Sequence, residues 1–239
     1  MNSLKRFIAY FTVWERILWL SSVVLLTVSF FVFEESDPVT YAASLIGVTA
    51  LIFCAKGNPF GQCLMVVFSL IYGAISYGFA YYGEMITYLG MSGPMAALAL
   101  IAWLRNPFAN RRSEVKINRM KRGEIVFMCF LVAAVTVAFY FILRYFNTAN
   151  LYPSTLSVAT SFAAVYLTFR RSPYFALLYS FNDVVLLVLW TLAAMEEPSY
   201  VSVIVCFVVF LANDLYGFFN WLRMEKRQAA ALESSVSAL

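Results

Sequence analysis

The chain has 239 residues, of which 62% are hydrophobic and only 13% charged, and it carries a formal net charge of +4. Soluble domains carry about 25% charged residues, so this composition excludes a soluble protein with an ordinary polar surface. With a mean hydropathy of +0.78, the chain is expected to be an α-helical integral membrane protein.

The sequence contains no histidine. This absence excludes nucleophiles that need a histidine partner, as well as metal and haem sites that use histidine ligands. Four cysteines, Cys54, Cys63, Cys129 and Cys206, lie in separate apolar stretches and form no CxxC pair. We interpret them as packing residues and expect neither a metal site nor a cofactor.

Eight predominantly apolar stretches approach the length of about 20 residues that crosses a bilayer. They run from Trp14 to Phe33, Pro38 to Ala55, Phe60 to Tyr82, Glu84 to Leu104, Glu124 to Phe146, Ser154 to Phe169, Pro173 to Met195 and Ser199 to Leu222. The predicted fold class is therefore an all-α integral membrane protein with eight transmembrane helices, of which Ser154 to Phe169 is the shortest.

The charged residues between these stretches alternate in sign along the chain. Of the 17 lysines and arginines, all except Arg144 fall on one side of the predicted membrane, whereas Glu34, Glu35, Asp37 and Glu84 fall on the other. By the positive-inside rule the cation-rich side is cytoplasmic. This predicts a multi-pass protein of the inner cell membrane with both termini in the cytoplasm.

The longest basic segment, from Arg105 to Arg122, has two interpretations. A cluster of cations is typical of a nucleic-acid or anionic-lipid surface, but it is also what the positive-inside rule predicts for a cytoplasmic loop. We favour the solvated cytoplasmic loop. The expected partners are therefore the lipid bilayer and a small-molecule substrate, and no nucleic acid.

Two short patterns occur twice. Lys56-Gly57-Asn58-Pro59-Phe60 and Arg170-Arg171-Ser172-Pro173-Tyr174 each open a span, and Trp103-Leu104-Arg105 and Trp221-Leu222-Arg223 each close one. They predict two three-helix repeats, residues 38–105 and 151–228. Parallel repeats of three helices need one helix between them, because three crossings reverse direction. Residues 106–150 would supply the basic loop and this linker helix, 1–37 an extra N-terminal span, and 229–239 a cytoplasmic tail.

Several motifs carry a family resemblance through their order and spacing. These are Gly57-Asn58-Pro59-Phe60-Gly61, Tyr82-Gly83-Glu84, Asn182, and Asn213-Asp214-Leu215-Tyr216-Gly217 with Trp221. From about Pro38 to Arg227 the chain resembles the PnuC-type nicotinamide riboside and vitamin transporters, which share the SWEET-like plan. The resemblance implies facilitated diffusion of a nucleoside-like vitamin, trapping by a cytoplasmic kinase and often a homotrimer.

One departure from the family pattern leaves the substrate open. The tryptophans associated with nicotinamide riboside carriers are reduced to Trp190 in the seventh span. A deoxyribonucleoside or thiamine is therefore the alternative substrate within the same family.

Polar residues inside a span are costly in hydrocarbon and are therefore candidates for function. We predict that they form one polar cavity with aromatic walls, where amides and hydroxyls bind ribose hydroxyls and Trp190 stacks on the ring. The candidates in the second repeat are Asn182, Asp183, Trp190, Asn213, Asp214 and Tyr216, and those in the first are Gln62, Ser69, Tyr72 and Tyr88. The competing interpretation is that the asparagines and aspartates only hold helices together.

A function of another class is also considered. Asp183 and Asp214 are the only acidic pair deep in the predicted spans, and an intramembrane aspartyl protease needs two carboxyls that share a proton. Both residues follow asparagine rather than lying in a GxGD-like motif, so we favour a transporter over an enzyme. No lysine lies within a span to bind retinal, and there are no charge rings or glycine-rich filters of the kind that channels use.

Overall fold

The computed structural model describes residues 9–33, 38–78, 82–109, 111–148, 150–195 and 201–237. Within them the helices are α1 Val13–Val32, α2 Pro38–Ala55, α3 Pro59–Gly78, α4 Tyr82–Leu104, α5 Arg122–Tyr145, α6 Leu151–Phe169, α7 Phe175–Ala194 and α8 Val201–Ser237. The predicted all-α fold is confirmed. The acidic residues Glu34, Glu35, Asp37, Glu196 and Glu197 lie outside the described residues.

Seven of the described helices are long and apolar enough to cross a membrane. The eighth, α6, has 19 residues but is less apolar because it carries several hydroxyl groups. Ser154, Ser157 and Ser161 follow helical spacing on α6 and face the interior of the bundle. The polarity of α6 therefore belongs to its inner face, and the helix completes the predicted set of eight.

The two predicted repeats begin with the same turn. Gly57 and Arg171, each two residues before a proline, both adopt a left-handed backbone, with φ of 65° and 58°. Their amides bind the carbonyls of Cys54 and Thr168 at 2.9 and 3.0 Å. Glycine adopts this conformation freely, whereas it costs a residue such as Arg171 about 1–2 kcal/mol.

Two tryptophans connect the repeats reciprocally. Trp103, near the end of α4, donates its indole N–H to the carbonyl of Thr168 in α6 at 2.9 Å. Trp221 in α8 donates to the carbonyl of Cys54 in α2 at 2.8 Å. Both tryptophans are fully buried, and their ring centroids are 5.4 Å apart. Each repeat thus supplies a donor to a carbonyl near the end of a helix in the other.

The connection between α4 and α5 lies across this end of both repeats, which we call the basic end. Val115 donates its amide to the carbonyl of Gly57 at 2.9 Å, and Asn118 donates to that of Arg171 at 3.1 Å. The short strands Pro107–Phe108 and Arg111–Val115 pair antiparallel within the connection. The segment predicted to be a solvated loop is therefore an ordered layer on the bundle, because its backbone hydrogen-bonds to both repeat turns.

The last helix extends beyond its predicted end at Leu222. Gln228, on this extension, accepts the Ile117 amide at 2.9 Å and donates to the Val115 carbonyl at 3.0 Å. These bonds explain why α8 continues to Ser237 where a tail was predicted. The boundaries of the repeat units themselves stay a prediction.

The N-terminal helix α1 is fixed to the bundle by a buried ion pair. Glu15 and Thr12 form a capping box at its start, and the Glu15 carboxylate also accepts two hydrogen bonds from Lys56 Nζ, at 2.9 and 3.0 Å. Glu15 is 2% exposed. A carboxylate this deeply buried is tolerated because its charge is paired and hydrogen-bonded.

Candidate functional site

The helices enclose a central cavity of about 230 Å³. Its wall comes mainly from α2, α3, α4, α6, α7 and α8, and so draws on both repeats. The cavity reaches from Cys54 and Thr168, near the basic end, to Glu84 and Thr148 near the opposite end. Since Trp103 and Trp221 bind the carbonyls of Thr168 and Cys54, the buried tryptophan pair marks the basic limit of the cavity.

Most of the predicted binding residues lie in this wall. They are Gln62, Ser69, Tyr72, Tyr88, Asn182, Asp183, Trp190 and Asp214. Phe68, which the repeat matches with Asn182, is also in the wall. The structure therefore brings polar and aromatic groups of both repeats together, and their role in binding stays a prediction.

The structure does not bring Asn213 and Tyr216 into the cavity. Asn213 Nδ2 donates to Ser22 Oγ on α1 at 3.0 Å, and the Tyr216 hydroxyl donates to Glu15 Oε1 at 3.0 Å. Asn220, on the same face, donates to the Ala55 carbonyl at 2.8 Å. This face of α8 is occupied by α1 and α2, so for Asn213 and Tyr216 the placement agrees with helix packing rather than with the predicted binding wall.

Asn182 is held with its amide oxygen toward α6. The hydroxyls of Ser157 and Thr160 both donate to Asn182 Oδ1, at 3.0 and 2.8 Å. Its Nδ2 atom has no hydrogen bond with any described residue, although only 7% of the residue is exposed. Since both bonds orient the side chain, the amide is a preorganised donor in the cavity wall.

Asp183 and Asp214 meet across the contact between α7 and α8. Both side chains lie in the cavity wall, and the two residues are 4% and 6% exposed. The charge on one buried carboxylate disfavours ionisation of another carboxyl beside it. The pair therefore adds acidic rather than basic groups to this part of the wall. Its titratable neighbours are Cys54 and Tyr179, neither of which is a cation.

An aromatic group lies on the side of the wall formed by α3 and α4. The ring centroids of Phe68 and Tyr72 are 4.6 Å apart, and those of Tyr72 and Tyr88 are 5.3 Å apart. Tyr88 belongs to a π-helical turn, Thr87–Ser92, inside α4, a feature that is frequent at functional sites. We call Phe68, Tyr72 and Tyr88 the ring cluster.

A glycine brings the two helices of this wall together. A Cβ atom at Gly73 on α3 would lie 2.4 Å from the side chain of Leu89 on α4, so a larger residue would force the helices apart. The close approach places Tyr72 and Tyr88 in contact across the gap.

Sequence reasoning missed two parts of the wall. Glu84 was interpreted as a charge in the loop pattern and as part of the Tyr82-Gly83-Glu84 motif, but not as a binding residue, and it lines the cavity. The hydroxyls Ser154, Ser157 and Ser161 were also missed, although their i, i+3, i+7 spacing could have indicated a polar helix face.

The four cysteines form no disulfide with one another, but they are not all packing residues. Cys54 and Cys206 are buried, whereas Cys63 and Cys129 are exposed on the surface of the described bundle. The packing interpretation is wrong for Cys63 and Cys129, because both are exposed. An apolar thiol is also compatible with a surface that faces lipid.

Known proteins with related sequences are transporters. The family described as nicotinamide mononucleotide transporter matches residues 37–223. The chain is 22% identical over 216 residues to the nicotinamide riboside transporter PnuC of Neisseria mucosa, covering 88% of this chain and 82% of that protein. It is 21% identical over 213 residues to PnuC of Haemophilus influenzae, covering 89% and 91%.

The fold is shared with a solved structure. The crystal structure of the vitamin B3 transporter PnuC matches with a TM-score of 0.77 and 21% identity, covering 91% of this chain and 94% of that one. The family match spans most of the chain, and the described helices provide the membrane spans. The chain therefore belongs to the nicotinamide mononucleotide transporter family, and it is a multi-pass membrane transporter rather than an enzyme.

Proposed function

We propose that the chain carries nicotinamide riboside across the cell membrane by facilitated diffusion. The observation that supports this substrate is the charge of the cavity wall. Among the described wall residues, the acidic side chains are Glu84, Asp183 and Asp214, and none is a lysine or arginine. Nicotinamide riboside carries a fixed positive charge on its ring, which this wall attracts.

The same charges argue against the mononucleotide that the family description names. A mononucleotide adds a phosphate with up to two negative charges, and proteins normally bind phosphate with arginine, lysine or helix N-termini. The described wall offers acidic groups in place of those cations. The riboside is therefore the better match of the two.

Two residues are suited to the remaining groups of the substrate. The free amide hydrogens of Asn182 can donate to a ribose hydroxyl or to the carboxamide oxygen. Trp190, which also lines the cavity, offers a flat apolar face that can cover the bound substrate. Together with Gln62 and Ser69 in the wall, they provide both kinds of contact that a nucleoside requires.

The first prediction concerns energy coupling. Purified protein in liposomes should admit labelled nicotinamide riboside until the inside and outside concentrations are equal, because facilitated diffusion has no second driving force. Nicotinamide mononucleotide should not enter. Accumulation above the outside concentration under an imposed proton gradient would overturn the proposal of passive transport and direct attention to Asp183 and Asp214.

The second prediction compares two asparagines. Asn182→Leu should weaken equilibrium binding of nicotinamide riboside to the purified protein about five- to hundredfold, since losing a buried hydrogen-bonding partner costs about 1–3 kcal/mol. Asn213→Leu is the matched control, because Asn213 binds Ser22 outside the cavity. It should lower thermal stability while leaving affinity within about twofold.

The outcomes of this comparison are separable. We expect the Asn182→Leu protein to fold, because the Thr160 hydroxyl keeps other hydrogen-bond partners. It also donates to the carbonyls of Leu156 and Ser157 at 3.0 and 3.1 Å. If a monodisperse Asn182→Leu protein binds like the wild type, Asn182 is a packing residue. If Asn213→Leu loses affinity instead, the site lies on the α1 side of α8.

We also propose that the basic end faces the cytoplasm of the inner membrane, supported by the positive-inside rule. A green fluorescent protein fused after the C-terminus should fluoresce, and alkaline phosphatase at the same place should be inactive, because each reporter works on only one side. An active phosphatase fusion would contradict this orientation.

A further inference from the structure

We propose that Glu84 and the ring cluster form a subsite for the positively charged ring of the substrate, and that this subsite selects cationic over neutral nucleosides. The inference rests on the proposed function, since it assigns one part of the same substrate to one part of the same cavity. It names Glu84 as a further binding residue and positively charged nucleosides as the preferred substrates.

The three aromatic rings and Glu84 lie in the same part of the cavity wall. Phe68, Tyr72 and Tyr88 are mutually in contact, with the Phe68 and Tyr88 centroids 6.1 Å apart, and all three line the cavity. Glu84 precedes Tyr88 by four residues on α4, and residues at this spacing lie on the same face of a helix. A carboxylate and aromatic rings thus adjoin each other in one stretch of the wall.

Glu84 has no partner in the part of the chain that the structure describes. Within the described residues it has no hydrogen bond or ion pair, and it is only partly accessible. The contrast with Glu15 is informative, because that buried carboxylate binds Lys56, Tyr216 and the Thr12 amide. Partly buried charge without a partner is unfavourable, and a bound cation would relieve this cost.

A carboxylate beside aromatic rings suits a flat cation. Aromatic faces attract cations within about 6 Å of the ring centroid, and a carboxylate adds a direct Coulomb attraction. A pyridinium ring can use both interactions, since it is flat and positively charged. A neutral nucleoside of the same shape keeps the stacking contact but loses both electrostatic contributions.

The position of Glu84 is fixed by its neighbour in sequence. A Cβ atom at Gly83 would lie 2.9 Å from the side chains of Leu143 and Thr148. The start of α4 is therefore packed closely against the segment that ends α5. This contact holds Glu84 at the end of the cavity opposite the tryptophan pair.

The test compares two ligands that differ in charge. Nicotinamide riboside is cationic, and its 1,4-dihydro form is neutral with nearly the same shape. Equilibrium binding to purified full-length protein should favour the cationic form at least about tenfold for the wild type. Glu84→Gln should weaken binding of the cation about tenfold and that of the neutral form less than about twofold.

Three further variants make the result specific. Glu84→Asp should retain a preference for the cation, because it keeps the charge. Tyr88→Leu should also reduce the preference, and it tests the subsite independently if Glu84→Gln does not fold. Glu225→Gln removes a carboxylate that pairs with Arg119 at 2.7 Å outside the cavity and should leave the preference unchanged.

The outcomes distinguish this inference from the proposed function. A wild type that binds neither ligand would overturn the proposed function itself. A wild type that binds both ligands equally, or a Glu84→Gln protein that keeps the full preference, would overturn the subsite while nicotinamide riboside remains the substrate. A similar loss of preference in Glu225→Gln would show that overall charge, rather than the subsite, is responsible.

Discussion

The cost of leaving a polar group without a partner in hydrocarbon organises this structure. At the basic end, Trp103 and Trp221 avoid this cost because each donates its indole N–H to a carbonyl of the other repeat. Glu15 avoids the same cost by pairing with Lys56, and this ion pair fixes α1 to the bundle. Asn182 Nδ2 and Glu84, which have no hydrogen-bond partner among the described residues, both lie in the wall of the central cavity. Their position in the wall makes these two groups available to a substrate, whereas the paired groups hold helices together.

Much of the fold could be predicted from the sequence, because span length, loop charge and repeated turns are local properties of the chain. The proline turns after Gly57 and Arg171 were visible as a repeat, and the structure gives both the same left-handed geometry. The site was only partly predictable. A helix has several faces, and spacing groups Asn213 with Tyr216 without indicating that α1 covers them. Glu84 was missed for a related reason, since a charge near the end of a span resembles an ordinary loop residue until the neighbouring helices are placed.

The cavity is asymmetric although its two halves share a plan. The second repeat contributes amide and carboxyl groups at Asn182 and Asp183, whereas the matched positions in the first repeat are Phe68 and Ser69. One half therefore supplies hydrogen bonds and the other mainly supplies rings. A substrate that leaves toward the basic end must pass the region of Trp103 and Trp221, so the interactions that join the repeats lie on its path.

The most direct measurement is a structure of the protein determined in complex with nicotinamide riboside. The account predicts ligand density in the central cavity, with a ribose or carboxamide oxygen within hydrogen-bond distance of Asn182 Nδ2 and the charged ring beside Tyr88 and Glu84. Density between α1 and α8, beside Asn213 and Tyr216, would contradict it. So would a ligand in the cavity whose ring lies away from both Glu84 and the ring cluster.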